Sequence, residues 1–242
     1  MEIKGKVAIV TGASGGIGEA IVKRLSTEGA IVALVARNGE KMARLSAEIP
    51  ESMFVITDMS KEPEIKKMIG WVFKRFGKID ILINNAGQGY DAPLELTDIT
   101  IFRKILDLDV IGPLVAMKEV IPIMKRAGGG SIINISSGTA LMALPNNAAY
   151  SSAKRALAQI SLVAREELKD QGIKVSVVYP YMTKTDFELN TIRNKSIKET
   201  PEDAEGGGPQ PPDSAEYVAK IIVEGIKSGD AEIFAHDWMK NI

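Results

Sequence analysis

Seven short apolar runs recur along the chain: VAIVT (7–11), IVALVA (31–36), MFVIT (53–57), ILIN (81–84), SIINIS (131–136), KVSVVY (174–179) and EIFA (232–235). β-Branched residues dominate them and polar positions rarely interrupt them. That is the pattern of strands covered on both faces. Between them the apolar spacing changes to three and four, which predicts helices over 16–28, 39–49, 61–76, 98–126, 149–171 and 214–227. Strict alternation of the two element types predicts an α/β fold, with about seven parallel strands and helices on both faces. No repeat of fixed period and no linker interrupts the first 190 residues, so one doubly wound domain is expected over 1–242.

One segment departs from the alternation. Residues 194–213, NKSIKETPEDAEGGGPQPPD, carry three glycines, four prolines and no apolar run. They follow the end of a strand, where open α/β sheets bind ligands. The segment reads either as a mobile lid beside a pocket or as a disordered surface loop. Asp213 with Glu216 reads as a cap for the helix that follows.

Composition narrows the chemistry. With 242 residues and a net charge of −1, nothing in the bulk electrostatics favours nucleic acid or an anionic membrane as a partner. Cysteine is absent and His236 is the single histidine, which removes disulfides, thiolate metal sites and histidine-rich metal sites, so no metal is expected. The start shows no apolar core followed by a cleavage site, and no apolar run approaches the ~18 residues of a membrane span. A cytoplasmic protein is expected.

TGASGGIG (11–18) lies between the first strand and the first helix. Gly12 allows a tight turn, Gly16 lets backbone approach a ligand, and Gly18 lets the helix pack closely. The helix N-terminus then offers free N–H groups to a pyrophosphate. The context makes the fold Rossmann-type and the ligand a dinucleotide. At the end of the second strand stand Ala36 and Arg37, where an NAD site usually has a carboxylate. A guanidinium there pairs with a 2′-phosphate or is simply solvated; the first reading predicts NADP(H).

In YSSAK (150–154) a tyrosine and a lysine four apart share one helix face. An ammonium beside a phenol stabilises the phenolate and lowers its pKa from near 10. The reading is that Tyr150 exchanges a proton with an alcohol oxygen, Lys154 tunes Tyr150 and holds the nicotinamide ribose, and Ser137 bonds the substrate oxygen. Such a site needs no metal, cysteine or histidine.

Together TGASGGIG, NNAG (84–87), Ser137 and YSSAK make the chain resemble the short-chain dehydrogenase/reductase family over roughly residues 5–190. The resemblance implies further cofactor contacts. Asp58 and Met59 would sit at the adenine, and Ser14, Ile17, Arg37 and Asn38 at the phosphates and ribose. Asn85, Ala86 and Gly87 would line the cofactor after the fourth strand. Pro180, Thr183 and Thr185 would join them, Thr185 at the nicotinamide amide. Three departures stand out. Asp109 replaces the family's asparagine, whose backbone carbonyl holds a relay water; Asp109 keeps that role, binds Lys154 directly, or is a solvated helix residue. Tyr181 follows Pro180 where a glycine is usual, so its ring lies beside the nicotinamide or substrate, narrowing the pocket or stacking on a planar substrate, or else packs on the loop. The tail with His236 and Trp238 lacks the ending of fatty-acid ketoreductases and is a contact surface or a frayed end.

The resemblance implies an NADP(H)-dependent oxidoreductase acting on a small carbonyl or alcohol, assembled as a homodimer or homotetramer. Its competitors are a 3-oxoacyl-(acyl-carrier-protein) reductase and a non-catalytic NADP(H)-binding sensor on the same fold.

Overall fold

A computed structural model of the chain describes residues 1–197 and 210–242. The seven apolar runs form one parallel sheet: β1 (Val7–Thr11), β2 (Ile31–Ala36), β3 (Ser52–Ile56), β4 (Ile81–Asn84), β5 (Gly130–Ile135), β6 (Ile173–Tyr179) and β7 (Glu232–Phe234). Their spatial order is β7-β6-β5-β4-β1-β2-β3. The helices are α1 (Gly16–Thr27), α2 (Gly39–Glu48), α3 (Glu62–Phe76), α4 (Ile99–Leu106), α5 (Gly112–Arg126), α6 (Ala148–Leu168) and α7 (Ala215–Ser228). Among the described residues no helix is long and apolar enough to cross a membrane.

Side-chain alternation along the strands feeds two cores. Ala8, Val10, Val32 and Leu34 pack with Ile21, Leu25, Met42 and Ile222 of α1, α2 and α7. Val7, Ile9, Ala33 and Val35 pack on the opposite face with Ile65, Met68, Val72 and Val120 of α3 and α5. Each valine, leucine, isoleucine or methionine among them stabilises the fold by about 1.5–3 kcal/mol when fully buried. This two-sided burial is why the runs are apolar at every position. β1 pairs with both β2 and β4, so the chain winds away in opposite directions from it and leaves a crevice at the strands' C-terminal ends.

The helix expected over 98–126 is interrupted. α4 ends at Leu106, and Asp107–Ile111 form a π turn before α5 begins. The Gly112 N–H donates to the Asp107 carbonyl, five residues back. Pro113 has no N–H for the Asp109 carbonyl, which loosens the α-helical ladder there. A Cβ on Gly112 would overlap the Met59 carbonyl oxygen, so the turn also presses close to the chain after β3. Apolar spacing runs through the break, which hides it from the sequence pattern. The turn buries Asp109 completely, so the solvated-residue alternative does not hold.

Two more expectations change. The cap of α7 is Ser214, whose hydroxyl accepts the Tyr217 N–H at 3.1 Å. Asp213 instead lies extended, pairing in parallel with the Thr183–Lys184 strand, and its carboxylate meets His236 Nε2 at 2.9 Å. The tail is neither frayed nor a free contact surface at this point. Met239 is buried with Tyr179 and Ala140, and the His236 ring stacks on Tyr217 with centroids 5.6 Å apart. Most of the segment read as lid or loop, residues 198–209, lies outside the described residues.

Candidate active site

The glycine turn is held from below by Thr11. Its hydroxyl accepts the amides of Asn85 at 2.9 Å and Ala86 at 3.0 Å, tying the end of β1 to the NNAG segment. Asn85 Nδ2 donates to the Thr11 carbonyl at 3.0 Å. Sequence reasoning missed Thr11, although a threonine at a strand end directly before a glycine turn was the available signal. Gly12 sits in the left-handed region at φ 67°, and a Cβ there would lie 2.8 Å from Asn85 Nδ2. A Cβ on Gly18 would overlap the Gly12 carbonyl oxygen, so the helix packs against its own turn as well as the sheet. Gly16 has a different neighbour from the one expected: the Thr185 side chain lies 3.1 Å from where its Cβ would stand. Beside it, a Cβ on Gly15 would meet nothing within 4 Å. The backbone at Gly15, just before the first turn of α1 with its free N–H groups, therefore faces open space. Ser14 and Ile17 are half-buried at this mouth.

At the far end of the crevice the groups are looser. Arg37 is exposed, and among the described residues no ion pair holds it. Asn38 caps α2 by accepting the Lys41 N–H at 3.0 Å. Asp58 stays below the usual carboxylate range. Burial works against its charge, but the Ser60 amide and hydroxyl at 3.0 and 2.7 Å, with Arg37 and Lys61 nearby, outweigh that. Met59 is buried in the α3–α5 core, so its side chain belongs to the packing.

Around YSSAK the geometry is tight. β5 ends at Ile135, and Ser136 fixes α6 by donating to the Lys154 carbonyl at 2.9 Å. Ser137 accepts the Thr139 amide at 3.2 Å and the Thr139 hydroxyl at 3.0 Å. Tyr150 and Lys154, both buried, share one face of α6, with Lys154 Nζ 5.6 Å from the tyrosine ring centre. Lys154 donates to the Ile135 carbonyl at 3.1 Å and forms an ion pair with Asp109 at 3.0 Å. The other Asp109 oxygen accepts the Gln88 amide at 3.0 Å. A Cβ on Gly87 would come within 2.9 Å of Asp109 and 3.1 Å of Lys154, so only glycine leaves room for the pair.

The electrostatics differ from the sequence expectation. Burial pushes the Tyr150 hydroxyl above its ordinary value. The Lys154 ammonium and the Ser137 hydrogen bond pull it down, while Asp109 and Glu188 add to the rise. The ammonium acts as expected, but it does not win. Burial likewise disfavours the charged form of Lys154, yet Asp109 and Tyr150 hold its value above the ordinary one.

Phe187, unremarked in the sequence, lies tilted against Tyr150 with ring centres 5.8 Å apart. The segment carrying it is held over the site by parallel pairing of Ile192–Arg193 with Tyr90–Asp91. Tyr181 packs on the C-terminal tail: its ring meets His236 and Trp238 edge-on at 5.8 and 5.6 Å, and its hydroxyl donates to the Gln210 carbonyl. The Pro180 carbonyl accepts the Gly138 amide at 2.8 Å, and Thr183 donates to the Tyr181 carbonyl at 2.8 Å. So the structure brings Ser137, Tyr150, Lys154, Asp109 and Gly87 together at one end. Arg37, Asn38 and Asp58 lie at the other, with Thr183 and Thr185 on a strap running toward the glycine turn.

Known proteins resemble this chain in sequence and in fold. Residues 6–196 match the family described as short chain dehydrogenase. A farnesol dehydrogenase of Aedes aegypti is 37% identical over 199 residues, 78% of this chain and 81% of that protein. A short-chain dehydrogenase from Streptomyces avermitilis superposes with a TM-score of 0.86 at 29% identity, covering 100% of this chain and 91% of that one. A 3-ketoacyl-(acyl-carrier-protein) reductase from Brucella melitensis, complexed with NADH, does so at 0.87 and 26% identity, covering 96% and 97%. The chain belongs to the short-chain dehydrogenase family and is an oxidoreductase with the family's Rossmann-type fold.

Proposed function

We propose that the chain is an NADP(H)-dependent oxidoreductase that interconverts a carbonyl and an alcohol. What carries the reading is the convergence of buried Tyr150 and Lys154 with Ser137 at the crevice opened by the glycine turn. The cofactor, when bound, supplies or takes up the hydride. Gly12, Ser14, Gly16, Ile17 and Gly18 would hold its pyrophosphate, and Arg37 and Asn38 its ribose phosphate. Asp58 and the backbone of Met59 would meet the adenine. Asn85, Ala86, Gly87, Pro180, Thr183 and Thr185 would line the nicotinamide half.

The chain's own work is done with protons and positions. Ser137 holds the substrate oxygen and Tyr150 gives it a proton, or takes one in the reverse direction. Lys154 holds the nicotinamide ribose and stabilises charge on Tyr150. The Phe187 ring, 5.8 Å from the Tyr150 ring, favours an apolar substrate, in line with what the Aedes relative is named for. A cytoplasmic homodimer or homotetramer completes the reading. A groove of about 370 Å³ between α5 and α6, lined by Leu114, Met117, Ile121, Ile160 and Val163, supports such assembly; a monomer by light scattering would remove that part.

The test follows NADPH oxidation against a panel of ketones, aldehydes and diketones, with acyl-thioesters alongside. Turnover of simple carbonyls supports the proposal. Turnover of 3-oxoacyl thioesters alone selects the second reading, which the likeness to the Brucella reductase favours. NADPH binding with no turnover would leave a cofactor-binding sensor.

A further inference from the structure

The Asp109–Lys154 pair is the strongest feature of the site that the proposed function does not use. Asp109 has no exposed surface and Lys154 is 3% exposed, so solvent does not screen them. Three elements combine to make the pair: the π turn points Asp109 inward, Gly87 leaves the space, and α6 delivers Lys154. An ammonium alone would act on Tyr150 as a single positive charge. With a carboxylate 3.0 Å away it acts as a dipole, whose influence falls off faster with distance. Burial raises Asp109 above the usual carboxylate range against the pull of Lys154 and the Gln88 amide; where the 3.0 Å pair with Lys154 keeps it ionised, ionising Tyr150 leaves two negative charges against one positive.

The other groups facing Tyr150 and Lys154 do not offset this. Ser137 gives a hydrogen bond from the end of β5, and the Ile135 carbonyl accepts from Lys154. Glu188, on the one-turn helix Phe187–Asn190, is itself negative and is paired with Arg193 at 2.7 Å.

We infer that Asp109 is a positioning residue that neutralises Lys154 and so keeps Tyr150 protonated, suiting the site to donate a proton to a carbonyl at neutral pH and to accept one from an alcohol only in alkaline solution. The inference rests on the carbonyl–alcohol reading of the site. In the reducing direction a bound reduced nicotinamide would give up the hydride to the carbonyl carbon, while the Tyr150 O–H bond breaks and its proton goes to the carbonyl oxygen. The tyrosinate left behind takes a proton from water before the next turnover. Oxidation must start from that tyrosinate, so its rate follows the ionised fraction. The upward displacement of Tyr150 by burial and Asp109 agrees with this order of events.

The experiment is a pair of pH–rate profiles, one for each direction, on the chain and on Asp109→Asn. Reduction by the unaltered chain should be nearly flat around neutrality, while alcohol oxidation should rise roughly tenfold per pH unit. Asp109→Asn should move the oxidation limb toward acid by about one unit, a gain of roughly tenfold at neutral pH relative to its own alkaline maximum. An unmoved limb in folded Asp109→Asn would overturn the inference. If that variant does not fold, the unaltered chain still decides: oxidation still rising beyond about pH 10 supports the idea and a plateau reached below that sinks it, since an unperturbed tyrosine titrates near 10. If no carbonyl or alcohol is turned over, the proposed function fails on its own account. Tyrosinate absorbance, taken as the difference from Tyr150→Phe, then tests the inference separately. Ionisation above about 10 supports it and ionisation below overturns it.

Discussion

At the Tyr150 end of the crevice, charge is buried and each group is held by a neighbour: Lys154 by Ile135 and Asp109, Asp109 by Gln88, the α6 backbone by Ser136. At the Arg37 end the guanidinium stands in solvent, and among the described residues no ion pair fixes it. The difference separates two kinds of specificity. Proton chemistry needs groups fixed before the substrate arrives, because reorganisation at the moment of reaction is costly. Recognition of a phosphate can wait for the ligand, since a long exposed side chain can close on it and gain charge-assisted hydrogen bonds then. One end should therefore respond to substitution in rate, the other in affinity.

The sharpest test of that contrast is Tyr150→Phe. Loss of a positioned proton donor should cost about 10²–10⁴-fold in kcat. NADPH affinity, followed by fluorescence titration, should stay intact; retained turnover would remove the proton role altogether. Next is Arg37→Asp, which should weaken NADPH relative to NADH by roughly 10–100-fold, the range of a charge-assisted hydrogen bond. Equal discrimination before and after the change would show that Arg37 is only solvated.

Gly18→Ala probes the joint between the two ends. Its new methyl overlaps the Gly12 carbonyl oxygen, so a loss of about 1–3 kcal/mol in urea unfolding is expected, along with weaker cofactor binding. The smallest effect should come from His236→Asn. Removing a part-exposed contact with Asp213 should cost about 0.5–1.5 kcal/mol in the same assay. Turnover should hardly change, because the ring packs on Tyr217, Tyr181 and Trp238 and makes no contact with Tyr150.

Much of this was legible in the sequence, and what escaped did so for identifiable reasons. All seven strands showed because covering both faces demands unbroken apolar runs. The glycine turn showed because Gly12 and Gly18 occupy positions where a Cβ has no room. The π turn did not show, since Leu108, Val110 and Ile111 carry the apolar pattern straight through it. Asp213 was misread as a cap because both it and Ser214 suit that role. Pairing with Thr183 drew Asp213 into a strand and left the role to Ser214. Tyr181 gave no hint of its direction, because the ring could face the crevice or the tail, and contacts with His236 and Trp238, more than fifty residues away in sequence, decided it.

By itself the sequence determined the class of fold, the dinucleotide turn, and the placement of Tyr150 and Lys154 on one helix face. All of these follow from local spacing and from which residues fit a covered strand or a tight turn. Only the tertiary structure decided the electrostatic surroundings of the tyrosine. That depends on a carboxylate forty-five positions from Lys154 being folded inward by a π turn against a glycine, and on burial strong enough to outweigh the ammonium beside it. Electrostatic energy is set by distance and by exclusion of water, and neither is written in the order of the residues.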